Sequence, residues 1–187
     1  MTVPARPRRA DAVRNEQRVL DAAREVFAER GLAAGIDEVA ARAGVGKATV
    51  YRSWATKEDL VTAVLIARVD WFAELTRAAV GAADPWTAYV ELLRSAADSA
   101  ARSALLHAGL TATSQSPLLE ARRAQSRAAL QELLDVLAVA GRVRPDVTAR
   151  EVTVLLCGAF RTLSEQRVTD VGQWRRYADL VRVATSA

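Results

Sequence analysis

No proline interrupts the chain between Pro7 and Pro85, and after that only Pro117 and Pro145 occur. The long gap is filled mainly by Ala, Leu, Arg and Glu, all good helix formers. Strand signals are absent: valines do not alternate with polar residues, and there is no Asn-Gly or Asp-Gly turn. These features predict an all-α fold. Helix starts follow from their caps. Asp84-Pro85 and Ser116-Pro117 each place a side-chain acceptor before a proline at the first helical position. Thr148 with Glu151 has capping-box spacing, and Thr56 with Asp59 is a weaker version. Gly31, Gly44 and Gly141 mark helix stops. The predicted helices span 12–30, 36–43, 47–54, 57–80, 85–101, 103–113, 117–140, 149–165 and 172–185, about nine in all.

At 187 residues the chain fits one compact domain, or a small head on a larger body. Its 51% hydrophobic and 26% charged residues argue against global disorder. A single cysteine excludes an intramolecular disulfide, and a single histidine excludes a His-rich metal site. No metal or cofactor is expected. The first residues have no apolar stretch of signal-peptide type. The most apolar window, Leu60 to Val80, carries Arg68, Asp70, Glu74 and Arg77 and does not read as a membrane span. The expected location is the cytoplasm, in association with the nucleoid.

The charge is unevenly placed. Lys+Arg 26 against Asp+Glu 22 gives a net +4. Residues 1–57 hold 11 basic and 7 acidic side chains, whereas the remainder holds 15 of each. An end-loaded basic segment points to a polyanion, nucleic acid first and an anionic membrane surface second. Residues 1–10, with three arginines and two prolines, read as a disordered basic arm.

The informative stretch runs from Ile36 to Leu60. Ile36, Val39, Ala40 and Ala43 form one apolar stripe on a short helix. Gly44 lets the chain turn sharply, and Val45 fits between crossing helices. A second short helix buries Val50 and Trp54 at i, i+4. Two short helices joined by a tight glycine turn make a helix-turn-helix. The outward face of the second helix presents Lys47, Ala48, Thr49, Tyr51, Arg52 and Ser53, with no acid. Cations and hydroxyls suit phosphate oxygens, and Ala or Tyr suits base edges and thymine methyls. Lys47 and Lys57, the only two lysines, bracket this helix.

Residues 14–60 resemble the N-terminal DNA-binding domain of TetR-family transcriptional regulators. The matching pieces are Phe27-Ala28-Glu29-Arg30-Gly31, Val39-Ala40, Ala43-Gly44-Val45, Tyr51, and Lys57 with Leu60. The resemblance implies a DNA-binding head over residues 11–56 and a ligand-binding, dimerising helical body over 57–187. It places Lys47, Ala48 and Tyr51 at bases, and Thr49, Ser53 and Lys57 at phosphates. Gly35 and Gly46 stand where the family usually has a hydroxyl residue, Ser53 where it has His or Tyr, and Trp54 where it has Phe. These departures bear on affinity and operator sequence rather than on DNA binding itself.

In the body, Trp71, Phe72, Trp86 and Tyr89 are candidate pocket aromatics and His107 a candidate polar handle. Each is also a residue type that cores take. A neutral body with several aromatics predicts an apolar cavity for a small hydrophobic or aromatic effector. Val152, Leu156, Ala159, Phe160 and Leu163 form a stripe on one helix, and Trp174, Tyr177 and Val181 one on the last. Both stripes either pair with a second copy as a four-helix bundle or pack inward. Cys157 reads as packing. The function implied is a non-enzymatic, homodimeric regulator: a repressor bound to a short inverted repeat in double-stranded DNA and released by a small molecule. Two other classes remain open. One is an effector-independent architectural or activating DNA-binding protein. The other is a helical carboxylate-dependent enzyme, disfavoured because no carboxylate pair accompanies a Gly-rich or metal motif.

Overall fold

A computed structural model describes residues 7–102 and 116–187. Eight α-helices account for nearly all of them: α1 (Pro7–Arg30), α2 (Ile36–Ala43), α3 (Lys47–Ser53), α4 (Lys57–Val80), α5 (Pro85–Arg102), α6 (Pro117–Val139), α7 (Ala149–Glu165) and α8 (Val171–Thr185). A 3₁₀ turn, Gly31–Ala33, follows α1. Among the described residues the sole β feature is an isolated bridge between Val143 and Ser186. The chain is all-α. The helix expected over 103–113, and His107 with it, lies outside the described residues.

The caps act where the sequence places them. Thr56 and Asp59 exchange backbone-to-side-chain bonds of 3.0 and 3.1 Å. Thr148 and Glu151 do the same at 2.8 and 3.3 Å. Asp84 accepts from the Trp86 and Thr87 amides at 3.1 and 3.2 Å. The Thr87 hydroxyl, and then these amide bonds, hold its carboxyl below the usual range. One cap is additional: Asp170 accepts from Gly172 N–H at 2.9 Å and opens α8. The beginning of the chain needs a correction. Helix α1 extends back to Pro7, so residues 7–10 are its first turn rather than part of a disordered arm. A proline in the first turn costs no helical hydrogen bond, which makes this start compatible with the sequence.

The helices enclose two apolar clusters. The head cluster joins α1, α2 and α3 to the start of α4. It includes Val19, Phe27, Val39, Val50, Leu60 and Val64, all essentially inaccessible to solvent. The body cluster joins the end of α4 to α5, α6, α7 and α8 around Tyr89, Leu93, Leu133, Val152 and Trp174. Helix α4 contributes to both, through Leu60, Val61 and Val64 at one end and Ala79 at the other. The bridge and two flanking bonds, Arg144 N–H to the Thr185 carbonyl at 3.0 Å and Ala187 N–H to the Arg142 carbonyl at 3.2 Å, tie the end of α8 to the α6–α7 connection.

Candidate DNA-binding face and ligand cavity

The turn between α2 and α3 is a Schellman closure. Gly44 N–H reaches the Ala41 carbonyl at 3.1 Å, and Val45 N–H reaches the Ala40 carbonyl at 3.0 Å. Gly44 has φ +64°, in the left-handed region that favours glycine. A Cβ at this position would lie 2.9 Å from the Arg18 guanidinium. That guanidinium donates to the Ala43 carbonyl at 2.6 Å, so α1 caps the end of α2 just where the chain turns. Val45 packs beside the head cluster, as expected for a plug between crossing helices.

Helix α3 buries a single residue, Val50, while Trp54 at its C-cap packs against the head cluster. Lys47, Ala48, Tyr51, Arg52 and Ser53 are exposed, and Thr49 is half-buried. Tyr51 keeps 43% of its surface in solvent, high for so large an aromatic on a helix already anchored by a valine. The polar side chains are held by weak exposed contacts. Lys47 pairs with Asp37 at 2.6 Å, Arg52 donates to the Thr49 hydroxyl at 3.0 Å, and the Ser53 hydroxyl bonds Glu16 at 3.0 Å. Exposed contacts of this kind add little to stability and can be exchanged for phosphate oxygens. Lys57 differs: its ammonium donates to the Leu32 carbonyl, so it also fastens the start of α4 to the loop after α1.

The body contains a cavity of ≈ 220 Å³ between α4, α5, α6 and α7. Its apolar walls are Trp71, Phe72, Leu130, Leu156 and Phe160. Its polar lining is cationic: Arg68 from α4, with Arg123 and Arg127 from α6. No carboxylate lines it among the described residues. Ser126 and Thr153 supply hydroxyls and Cys157 a thiol. Burial drives the Arg68 guanidinium down to about 10, so it stays charged at neutral pH. Cys157 is exposed at the cavity edge, and desolvation by the surrounding helices raises its thiol against the pull of Arg68 and Arg123.

These features have counterparts in known proteins. The family model for the TetR family of bacterial regulatory proteins matches residues 19–64. The model for the C-terminal domain of SbtR-like transcriptional regulators matches residues 84–183, more than half of the chain. A crystal structure of the TetR transcription regulatory protein from Mycobacterium vanbaalenii is 33% identical. It aligns over 97% of this chain and 100% of its own, at a TM-score of 0.69.

The chain belongs to the TetR family of transcriptional regulators.

A second TetR structure, SCO0520 from Streptomyces coelicolor, is 29% identical over 91% of this chain and 98% of its own, with a TM-score of 0.70. The transcriptional activator FasR of Mycolicibacterium smegmatis is 50% identical over 60 residues, 30% of this chain and 27% of FasR. The chain thus spans about a quarter of that curated relative. The TetR family is a class of DNA-binding regulators, not of enzymes. No described helix is long and apolar enough to cross a membrane.

Within this TetR frame the body assignments need correction. Trp71 and Phe72 line the cavity, but Tyr89 and Trp86 do not. Tyr89 is fully buried, its hydroxyl 3.3 Å from that of Thr185. Trp86 lies beside it, with the Arg142 guanidinium 5.5 Å above its ring. The expected dimer stripes turn inward as well. Val152, Leu156, Phe160, Leu163, Trp174 and Val181 are buried in the body cluster. Leu156 and Phe160 also form cavity wall. Trp174 is held by a 3.0 Å bond from its indole N–H to the Val168 carbonyl. Of that set, Ala159 is half-buried and Tyr177 exposed. The physical reason is that a stripe of large apolar residues is satisfied equally by core or by partner, and α5 and α6 supply the core.

The three cavity arginines escaped sequence reading. In the sequence Arg68 stands out only as one of the charges that interrupt the apolar window Leu60 to Val80. Yet it falls four residues after Val64 and four before Phe72, on a row that continues through buried Thr76. A charge inside a buried i, i+4 row is the signal that could have found it.

Proposed function

We propose that the chain is a homodimeric repressor that grips a short inverted repeat through two α3 helices and releases it when a small effector with a hydrophobic or aromatic body fills the cavity. The observation that carries this reading is the asymmetry of α3. Val50 is its one buried residue, and Lys47, Ala48, Tyr51 and Arg52 are exposed to solvent. Lys47, Thr49, Arg52, Ser53 and Lys57 would take phosphates or help to position the helix, while Ala48 and Tyr51 would meet base edges. Pairing of two copies is supported by Leu155, Tyr177, Leu180 and Val183, exposed apolar residues on neighbouring α7 and α8. Gly158 adds to it, because nothing lies within 4 Å of a Cβ built there, leaving room for a second helix. Release would be a population shift, with the effector favouring a spacing of the heads that no longer fits the groove.

The test is a fluorescence-anisotropy titration of the protein on DNA from its own upstream region, with and without library compounds that raise its melting midpoint. Tight binding that falls by orders of magnitude between about 50 and 200 mM salt, and that such a compound weakens, is expected. Equal affinity for random duplex would refute the regulator reading. In a promoter fusion, deletion of the gene should raise expression; a fall would make the protein an activator, as FasR is named.

A further inference from the structure

We infer that the effector is a small organic anion, one carboxylate on an apolar skeleton, held by Arg68 at the inner end of the cavity and by Arg123 and Arg127 toward its mouth. The inference rests on the reading of the cavity as the effector site and adds the chemistry of the ligand. Three arginines line one space whose other walls are mainly aromatic and aliphatic, with Ser126, Thr153 and Cys157 the remaining polar groups. The arginines' own partners do not neutralise them. Among the described residues Arg68 and Arg127 form no ion pair, and Arg123 pairs only with Glu120, one turn away on the outer surface of α6. Asp70, the acid nearest to Arg68 in sequence, pairs instead with Arg122 at 3.6 Å. Arg102 adds further repulsion at Arg68.

A desolvated cation with no ion-pair partner, as at Arg68, is unfavourable unless a counter-charge enters. A guanidinium fork matches a carboxylate in two parallel bonds, whereas a neutral ligand would leave the desolvated cation uncompensated. The aromatic walls of Trp71, Phe72 and Phe160 then receive the apolar remainder. At ≈ 220 Å³ the space is below the usual range for drug-sized ligands, which favours a small anion over a nucleotide-sized one. The even balance of charge over residues 58–187 hides this cluster, because the compensating acids sit elsewhere.

The test uses matched pairs of probes on the full-length protein: octanoate with octanamide, 4-phenylbutanoate with 4-phenylbutanamide, and indole-3-acetate with indole-3-acetamide. Calorimetry measures affinity. Alkylation of Cys157 by iodoacetamide at pH 8.5 reports occupancy, since this is the only cysteine in the chain and it lines the cavity. At least one acid is expected to bind, to exceed its amide by tenfold or more, and to slow alkylation. Arg68→Met should remove that preference while the variant keeps its melting transition and its affinity for DNA. Arg127→Gln, at an exposed position, should weaken acid binding by a smaller factor. The inference is overturned if no acid binds, if the amides bind as well as the acids, or if Arg68→Met binds the acids undiminished. A neutral compound that releases DNA would leave the effector-regulated reading intact while removing this one.

Discussion

The head and the body carry their function in opposite ways. In the head, all but one of the residues proposed to meet DNA fall within the seven-residue α3, Lys47 to Ser53, and Lys57 follows at the start of the next helix. One short helix, fixed by Val50 with Trp54 at its end, sets the directions of nearly all of them. In the body, the cavity takes residues from four helices between Arg68 and Phe160, and it faces inward. A convex site on one helix is written locally, whereas a concave site is written in the packing of distant segments. The two regions therefore yield to different perturbations. A fault in the head should alter DNA binding with the body intact. A fault in the body core should cost folding before it alters any ligand preference.

The largest expected effect is at Trp174. Trp174→Ala should destabilise the fold by about 3–5 kcal/mol, because it removes a fully buried indole, its bond to Val168 and its contact with Phe160. Denaturant unfolding checks this. A stable protein that has merely become monomeric would restore Trp174 to an interface. Leu180→Arg should do the reverse: its side chain is 47% exposed, so light scattering should show dissociation to a monomer with little loss of subunit structure by circular dichroism. A dimer unaffected by this change would move the proposed interface away from α8.

Gly44→Ala comes next. Its positive φ costs an L-residue roughly 1–2 kcal/mol, and the new methyl would crowd Arg18. Hydrogen exchange should increase across α2 and α3 while the amides of α5 and α6 remain protected. Uniform loss of protection would mean that the two clusters do not unfold separately. The smallest effect is at Arg68. Without ligand, Arg68→Met should raise the melting midpoint by about 2–4 °C if it removes about 1 kcal/mol of uncompensated charge. A lower midpoint would assign Arg68 a structural role instead.

What could be read in advance follows the same division. The caps at Thr56, Asp84, Ser116 and Thr148 and the stops at Gly31, Gly44 and Gly141 act locally, so the sequence displays them. The α2–α3 turn is equally visible, since Gly44, Val45 and Val50 each have one local task. Tyr89 and Trp174 were not assignable, because an aromatic in a helix packs equally well on a ligand, a partner or a core. Only the approach of Thr185 to one and Val168 to the other decides between these. Arg68 was obscured by composition, for one charge among 26 basic residues stands out only once its neighbours on the buried row are known.

The reading of DNA by two copies of α3 is tested by a DNase I footprint over the DNA upstream of the gene, comparing the native protein with Tyr51→Ala. Tyr51 is exposed and supports neither cluster, so the variant should fold normally. The expected result for the native protein is a short protected region with two symmetric halves whose centres lie about one helical turn apart, or a multiple of it, on one face of the duplex. In the variant that protection should disappear at the same concentration. A continuous footprint that spreads with protein concentration, or one that survives Tyr51→Ala unchanged, would contradict it.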